Sequence, residues 1–159
     1  MLNLVGSICW LLFVLFVTLS ELRSVLKQRE ITGETICMAV SVYLLLGFTW
    51  AFLYSVLFQL HPESFGSIEV KPGHATELLH IFPVLGYFSL TTLSTIGFGD
   101  ITPLTLQARY AAVAEGITGQ FYLAILVARL VGIQMSQVAS RVAGTQTQDS
   151  DTKESATED

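Results

Sequence analysis

Charged residues are scarce in this chain. They make up 13% of its 159 residues, about half of what an ordinary soluble domain carries. Hydrophobic residues reach 52%, and the mean hydropathy is +0.59. That balance excludes a soluble globular protein and indicates segments solvated by lipid. Cysteine is almost absent too. Cys9 and Cys37 are the only two, both at apolar positions, which argues against a disulfide framework or a metal pair and leaves them as small hydrophobes. No Walker loop, dinucleotide fingerprint or zinc motif occurs, and a soluble catalytic domain has no room here. No enzyme activity, catalytic residue or cofactor is therefore expected. The net charge of −5, with several acids gathered in the terminal tail, is no signal for nucleic acid as a partner.

What is present falls into three long apolar segments and one short one. Leu2–Leu19 is broken only by Asn3, Ser7 and Thr18 and is long enough to span a bilayer. No basic residue precedes it, no small-residue cleavage site follows, and Glu21-Leu22-Arg23 comes directly after, so it reads as a retained helix rather than a signal peptide. The connector holds Arg23, Lys27 and Arg29, the densest basic cluster in the chain, and is cytoplasmic by the positive-inside rule. Thr32-Gly33-Glu34 reads as a helix start, opening a second span with no basic residue and with Trp50, Tyr54 and Phe58 toward its outer end. His61-Pro62 ends that span, and a loop rich in Gly, Pro, Ser and Glu follows. The apolar stretch before Ser94 is too short to cross, which points to a re-entrant or buried helix. A last long span follows, with Arg129 near its inner end. After Gly144 the composition turns to Thr, Gln, Ser, Asp and Glu, which cannot bury enough apolar surface to offset ordering. The expected division is an N-terminal helix and basic connector over 1–34, a core domain over 35–137, and a disordered acidic tail over 138–159. Within the core, an outer helix occupies 35–60, a loop 61–77, a short helix 78–94, a glycine-containing turn 95–100 and an inner helix 104–137.

The turn carries the chemistry. Thr95-Ile96-Gly97-Phe98-Gly99-Asp100 alternates glycine with bulky residues, between two hydrophobic segments. Irregular backbone at that depth is tolerated only where it is buried in protein or lines a water-filled path. Glycine reaches positive φ, so this alternation can turn successive carbonyls to one side. The run resembles the filter signature of tetrameric potassium channels, usually Thr-Val-Gly-Tyr-Gly-Asp. The likeness continues upstream through Tyr87-Phe88-Ser89 and downstream through Ile101-Thr102-Pro103 into the following helix, covering roughly 35–137.

That resemblance implies an all-α membrane protein with three transmembrane helices, a re-entrant pore helix and a filter loop. It implies a multi-pass cell-membrane protein of prokaryotic type, surrounded by lipid and conducting K+. Ion-binding oxygens would be the carbonyls of Thr95, Ile96, Gly97 and Phe98, with the Thr95 hydroxyl closing the inner end and Gly99 completing the run. One chain has one filter, so four copies are required and a homotetramer is expected. Phe98 stands where the family usually has tyrosine, which removes a hydroxyl that holds the filter at its diameter. Tyr87 and Phe88 occupy positions of a paired aromatic cuff. Thr91 stands where some relatives have an acid that pairs with the residue matching Asp100, so Asp100 is expected to face water or a pore-helix aromatic.

In the last span Gly116, Gln120, Leu123, Val127 and Val131 recur near helical period and read as the conduction path. Gly119 matches the family's hinge glycine, and close helix packing is the competing reading. Glu115 is a carboxyl inside a span, a functional hypothesis by default. Three readings stand: a bond to the pore helix behind the filter, cation attraction near the cavity, or titration as a gate. The histidines His61, His74 and His80 match no ligand spacing. A non-selective cation channel and a non-conducting subunit of a larger channel or transporter remain the rival functions.

Overall fold

The computed structural model describes residues 2–27, 33–68 and 78–155. Four helices dominate: α1 (Leu2–Lys27), α2 (Gly33–Leu60), α3 (Leu78–Leu93) and α4 (Leu106–Ser155). Three segments are long and apolar enough to cross a bilayer, Leu4–Lys27, Glu34–Leu60 and Leu106–Met135. At a rise of about 1.5 Å per residue each exceeds the ~30 Å hydrocarbon core. The 16-residue α3 does not. The chain is thus an all-α, multi-pass membrane protein, as its composition requires.

Helix α1 runs past the expected end at Leu19 and takes in most of the basic connector. No glycine or proline lies between Gly6 and Gly33, so nothing interrupts the hydrogen-bond ladder, and Val25 is buried on the inner side. Helices α1 and α2 lie antiparallel: Gln59 donates to Ser7 at 2.7 Å near one end, and the Thr18 and Thr49 hydroxyls meet at 3.2 Å nearer the other. Such small polar contacts join helices where lipid offers no hydrophobic driving force. Val25, Ala39 and Val42 form a buried cluster at the inner end, with Tyr122 and Leu126 of α4 against it.

The main core lies at the other end. Tyr54 and Phe58 of α2, Ile81, Leu85 and Phe88 of α3, and Ala108 of α4 close around Phe65. Three rings meet edge to face there, Tyr54–Phe65 at 5.5 Å, Tyr54–Phe88 at 5.1 Å and Phe65–Phe88 at 5.3 Å. The start of the outer loop is therefore not free. A 3-10 turn at Pro62–Ser64 leads into β1 (Phe65–Gly66), which pairs antiparallel with β2 (Thr102–Pro103). Leu104 N–H adds a bond to the Ser64 carbonyl at 2.8 Å. This small clamp ties the C-terminal end of α2 to the segment leaving the 95–100 turn. His74 and the rest of 69–77 lie outside the described residues.

The expected disorder over 138–159 is corrected in part, because α4 continues as helix to Ser155. No proline follows Pro103, and extending a helix already nucleated by packing costs far less than starting one.

Candidate functional site

At the C-terminal end of α3 the last four carbonyls have no partner inside the helix. All four are occupied. Leu90 accepts from the Ser94 N–H at 3.1 Å, Thr92 from the Thr95 N–H at 3.0 Å, and Thr91 from both Ile96 and Gly97 at 2.9 and 3.1 Å. Leu93 accepts the Tyr43 hydroxyl at 3.1 Å. The N–H groups of residues 95–97 are thereby turned toward the helix. Among the described residues, no backbone N–H bonds the carbonyls of Thr95, Ile96, Gly97 or Phe98.

The dihedrals complete this picture. Thr95, Gly97 and Gly99 have φ of 58°, 54° and 78°, while Ile96 and Phe98 between them stay negative. Alternating the sign residue by residue lets successive carbonyls share a side. A Cβ on Gly97 or Gly99 would meet nothing within 4 Å, so glycine is required there by conformation and not by space. Thr95 has no such licence. A β-branched residue in the left-handed region costs about 1–3 kcal/mol, and strain of that kind gathers at functional sites. Its amide bond to Thr92 holds it, and Gln120 of α4 donates to its hydroxyl at 3.4 Å. The turn thus presents carbonyls that no backbone N–H of the described residues bonds, with a strained threonine at its start.

The supporting residues are placed unevenly. Tyr87 stacks on Phe98 with ring centroids 6.2 Å apart and planes within 3°. The Asp100 carboxylate lies near enough to its hydroxyl to push the Tyr87 phenol up from its ordinary value, and separately accepts the Ile101 N–H at 3.0 Å. Asp100 thus stands near an aromatic of α3. Phe88 does not join Tyr87 at the turn. It lies about 100° round the helix and is buried against Tyr54 and Phe65, so the expected two-ring cuff is corrected to one ring on the turn and one in the core. Thr91 acts through its carbonyl, since its hydroxyl is bonded to the Phe88 carbonyl at 2.9 Å.

Glu115 is fully buried. Tyr54 donates to one carboxyl oxygen at 2.5 Å, and Ser89 of α3 lies 2.5 Å from the other. The Ser89 hydroxyl also lies 2.7 Å from the Gly47 carbonyl. Three contacts thus share the two hydroxyl protons of Tyr54 and Ser89. Of the three readings, this geometry favours the bond to the pore helix behind the filter. Gly119 is a close-approach glycine: a Cβ there would stand 2.4 Å from the Leu93 carbonyl oxygen. Gly116 sits beside it, 3.9 Å from the Thr92 carbonyl by the same measure. Leu123, Val127 and Val131 of the expected stripe are exposed. Tyr43 and Phe65 escaped the sequence reading, and Ser89 entered it only within the family resemblance, with no role of its own. Ser89 and Tyr43 are polar residues within apolar helices, a detectable signal, whereas nothing local distinguishes Phe65.

Comparison with known proteins agrees with this arrangement. Residues 72–135 match the ion channel family, which spans the filter turn and the inner helix. Over 110 residues the chain is 26% identical to the voltage-gated potassium channel Kch of Escherichia coli (strain K12), covering 69% of this chain and 24% of that protein. The chain therefore spans about a quarter of the length of this curated relative. Both are similarities to ion channels, the second to a potassium channel. No solved structure matches significantly.

Proposed function

We propose that this chain is the pore subunit of a potassium-selective channel that conducts K+ passively as a homotetramer. The observation that carries the reading is the 95–100 turn. The amides of residues 95–97 are bonded back to α3, and the φ signs alternate over 95–99. A potassium filter needs rings of backbone carbonyls from four such loops, each oxygen carrying only a partial charge, so that ions bind and still leave. One chain supplies one side of that ring. Assembly is supported by what it leaves uncovered: Ile96 is 59% and Phe98 68% exposed in the isolated chain. An apolar groove beside them, lined by Phe48, Phe82, Leu90 and Ile96, offers a neighbouring helix a seat. Permeant K+ is the only bound species this reading requires.

Flux into liposomes containing only this protein tests it. Potassium and rubidium should enter far faster than sodium, and Gly97→Ala should abolish entry by straining a positive-φ position on the ion column. Equal sodium and potassium flux would replace selectivity with a non-selective pore. No flux at all would favour the non-conducting subunit.

A further inference from the structure

Helix α1 lies outside the residues matched to the ion-channel family, and its inner end carries a second site. Between α1, α2 and α4 runs an apolar groove of about 420 Å³, lined by Leu19, Leu22, Leu26, Phe121 and Ile125 with Arg129 at one end. Arg129 donates both guanidinium arms to the Val25 and Leu26 carbonyls, which closes the inner end of the groove around the last turn of α1. A second concavity shares Leu19 with the first and carries Ser20, Arg23, Ser24 and Lys27 beneath Phe16. Arg23 and Lys27 stand one helical turn apart with two serine hydroxyls on the same face. Both are exposed, and among the described residues neither forms an ion pair.

Depth and charge together select the occupant. Leu4–Lys27 is 24 residues long, about 36 Å of helix, so its final turn stands in the headgroup layer when the leucine-rich part is in hydrocarbon. The basic cluster assigns that end to the cytoplasmic leaflet, whose surface is anionic. A groove in hydrocarbon has to be filled by protein or by an acyl chain. Two cations with two hydroxyl donors between them match a phosphodiester that brings no cation of its own. The geometry points to one anionic phospholipid per chain, its phosphate on Arg23 and Lys27 and an acyl chain along Leu19, Leu22 and Leu26.

Native mass spectrometry after reconstitution into equimolar phosphatidylglycerol and phosphatidylcholine vesicles tests this. The wild-type chain should retain phosphatidylglycerol at up to one per chain, in clear preference to phosphatidylcholine. Each basic residue near the surface contributes about fivefold to such binding, so R23Q/K27Q should weaken retention about 25-fold. Leu26→Trp, which fills the groove and leaves the charges, should also weaken it, and Arg109→Gln at the outer end should not. Far-UV circular dichroism confirms that each variant remains helical. Equal retention of the two lipids, or retention indifferent to R23Q/K27Q, would overturn the proposal. So would the absence of retained lipid from either headgroup class, which would mean that a neighbouring copy fills the groove.

Discussion

Glu115 should tolerate glutamine and reject leucine. Both substitutions remove the acid, but they differ in which contacts keep a proton. In Glu115→Gln the amide oxygen accepts from Tyr54 and the amide N–H donates to Ser89, so the 2.7 Å contact of Ser89 with the Gly47 carbonyl also survives. All three contacts remain satisfied, and the expected loss is under about 1 kcal/mol. Glu115→Leu leaves Ser89 its bond to Gly47 and strands the Tyr54 hydroxyl in a buried site, at a cost of about 1–3 kcal/mol per chain. Tyr54→Phe in the wild-type background strands a carboxyl oxygen for a similar loss. Replacing both partners by apolar groups removes the orphan, so Tyr54→Phe with Glu115→Leu should recover much of either single loss. Thermal denaturation in detergent micelles reads the stability, and liposome flux reads the pore. If Glu115→Gln proves as damaging as Glu115→Leu, the charge itself is required and the hydrogen-bond account is wrong. Strictly additive losses in the double variant would refute the coupling.

Three further outcomes are expected. Gly119→Ala places a Cβ 2.4 Å from the Leu93 carbonyl oxygen, which is backbone and cannot rotate away; thermal denaturation should show a loss of about 1–3 kcal/mol, and an unchanged midpoint would show that α4 shifts freely. Arg129→Gln removes charge-assisted bonds to the Val25 and Leu26 carbonyls, each worth about 1.5–3 kcal/mol. Amide exchange in the last turn of α1 should then accelerate at least tenfold, while α3 keeps its protection. Phe98→Tyr should add one hydrogen bond of about 1 kcal/mol if the new hydroxyl reaches Tyr87, whose ring stacks on it. Filter inactivation in low potassium should slow, and unchanged inactivation would mean that ring stacking alone holds the turn.

The membrane class, the three spans and the position of the irregular turn were legible in the sequence, because each rests on local composition. A bilayer admits only long apolar helices, and a Gly-x-Gly run between two of them has few conformations open to it. The alternating φ at Gly97 and Gly99 follows from residue type alone. That Thr95 joins the alternation does not, because a threonine enters the left-handed region only when its surroundings compel it. Adjacent residues showed the same divide. Tyr87 and Phe88 are indistinguishable in sequence, yet one rotation step of α3 sends the first to the filter and the second into the core. The extent of α1 and α4 was misjudged wherever polar composition was taken to end a helix that packing continues. Glu115 was visible as an anomaly, but its role depended on Tyr54 and Ser89 arriving from two other helices, 61 and 26 residues away. The sequence by itself determined which segments enter the membrane and which turn is irregular. Only the tertiary structure decided which polar groups meet there, because a buried carboxyl takes its partners from whatever helices pack against it.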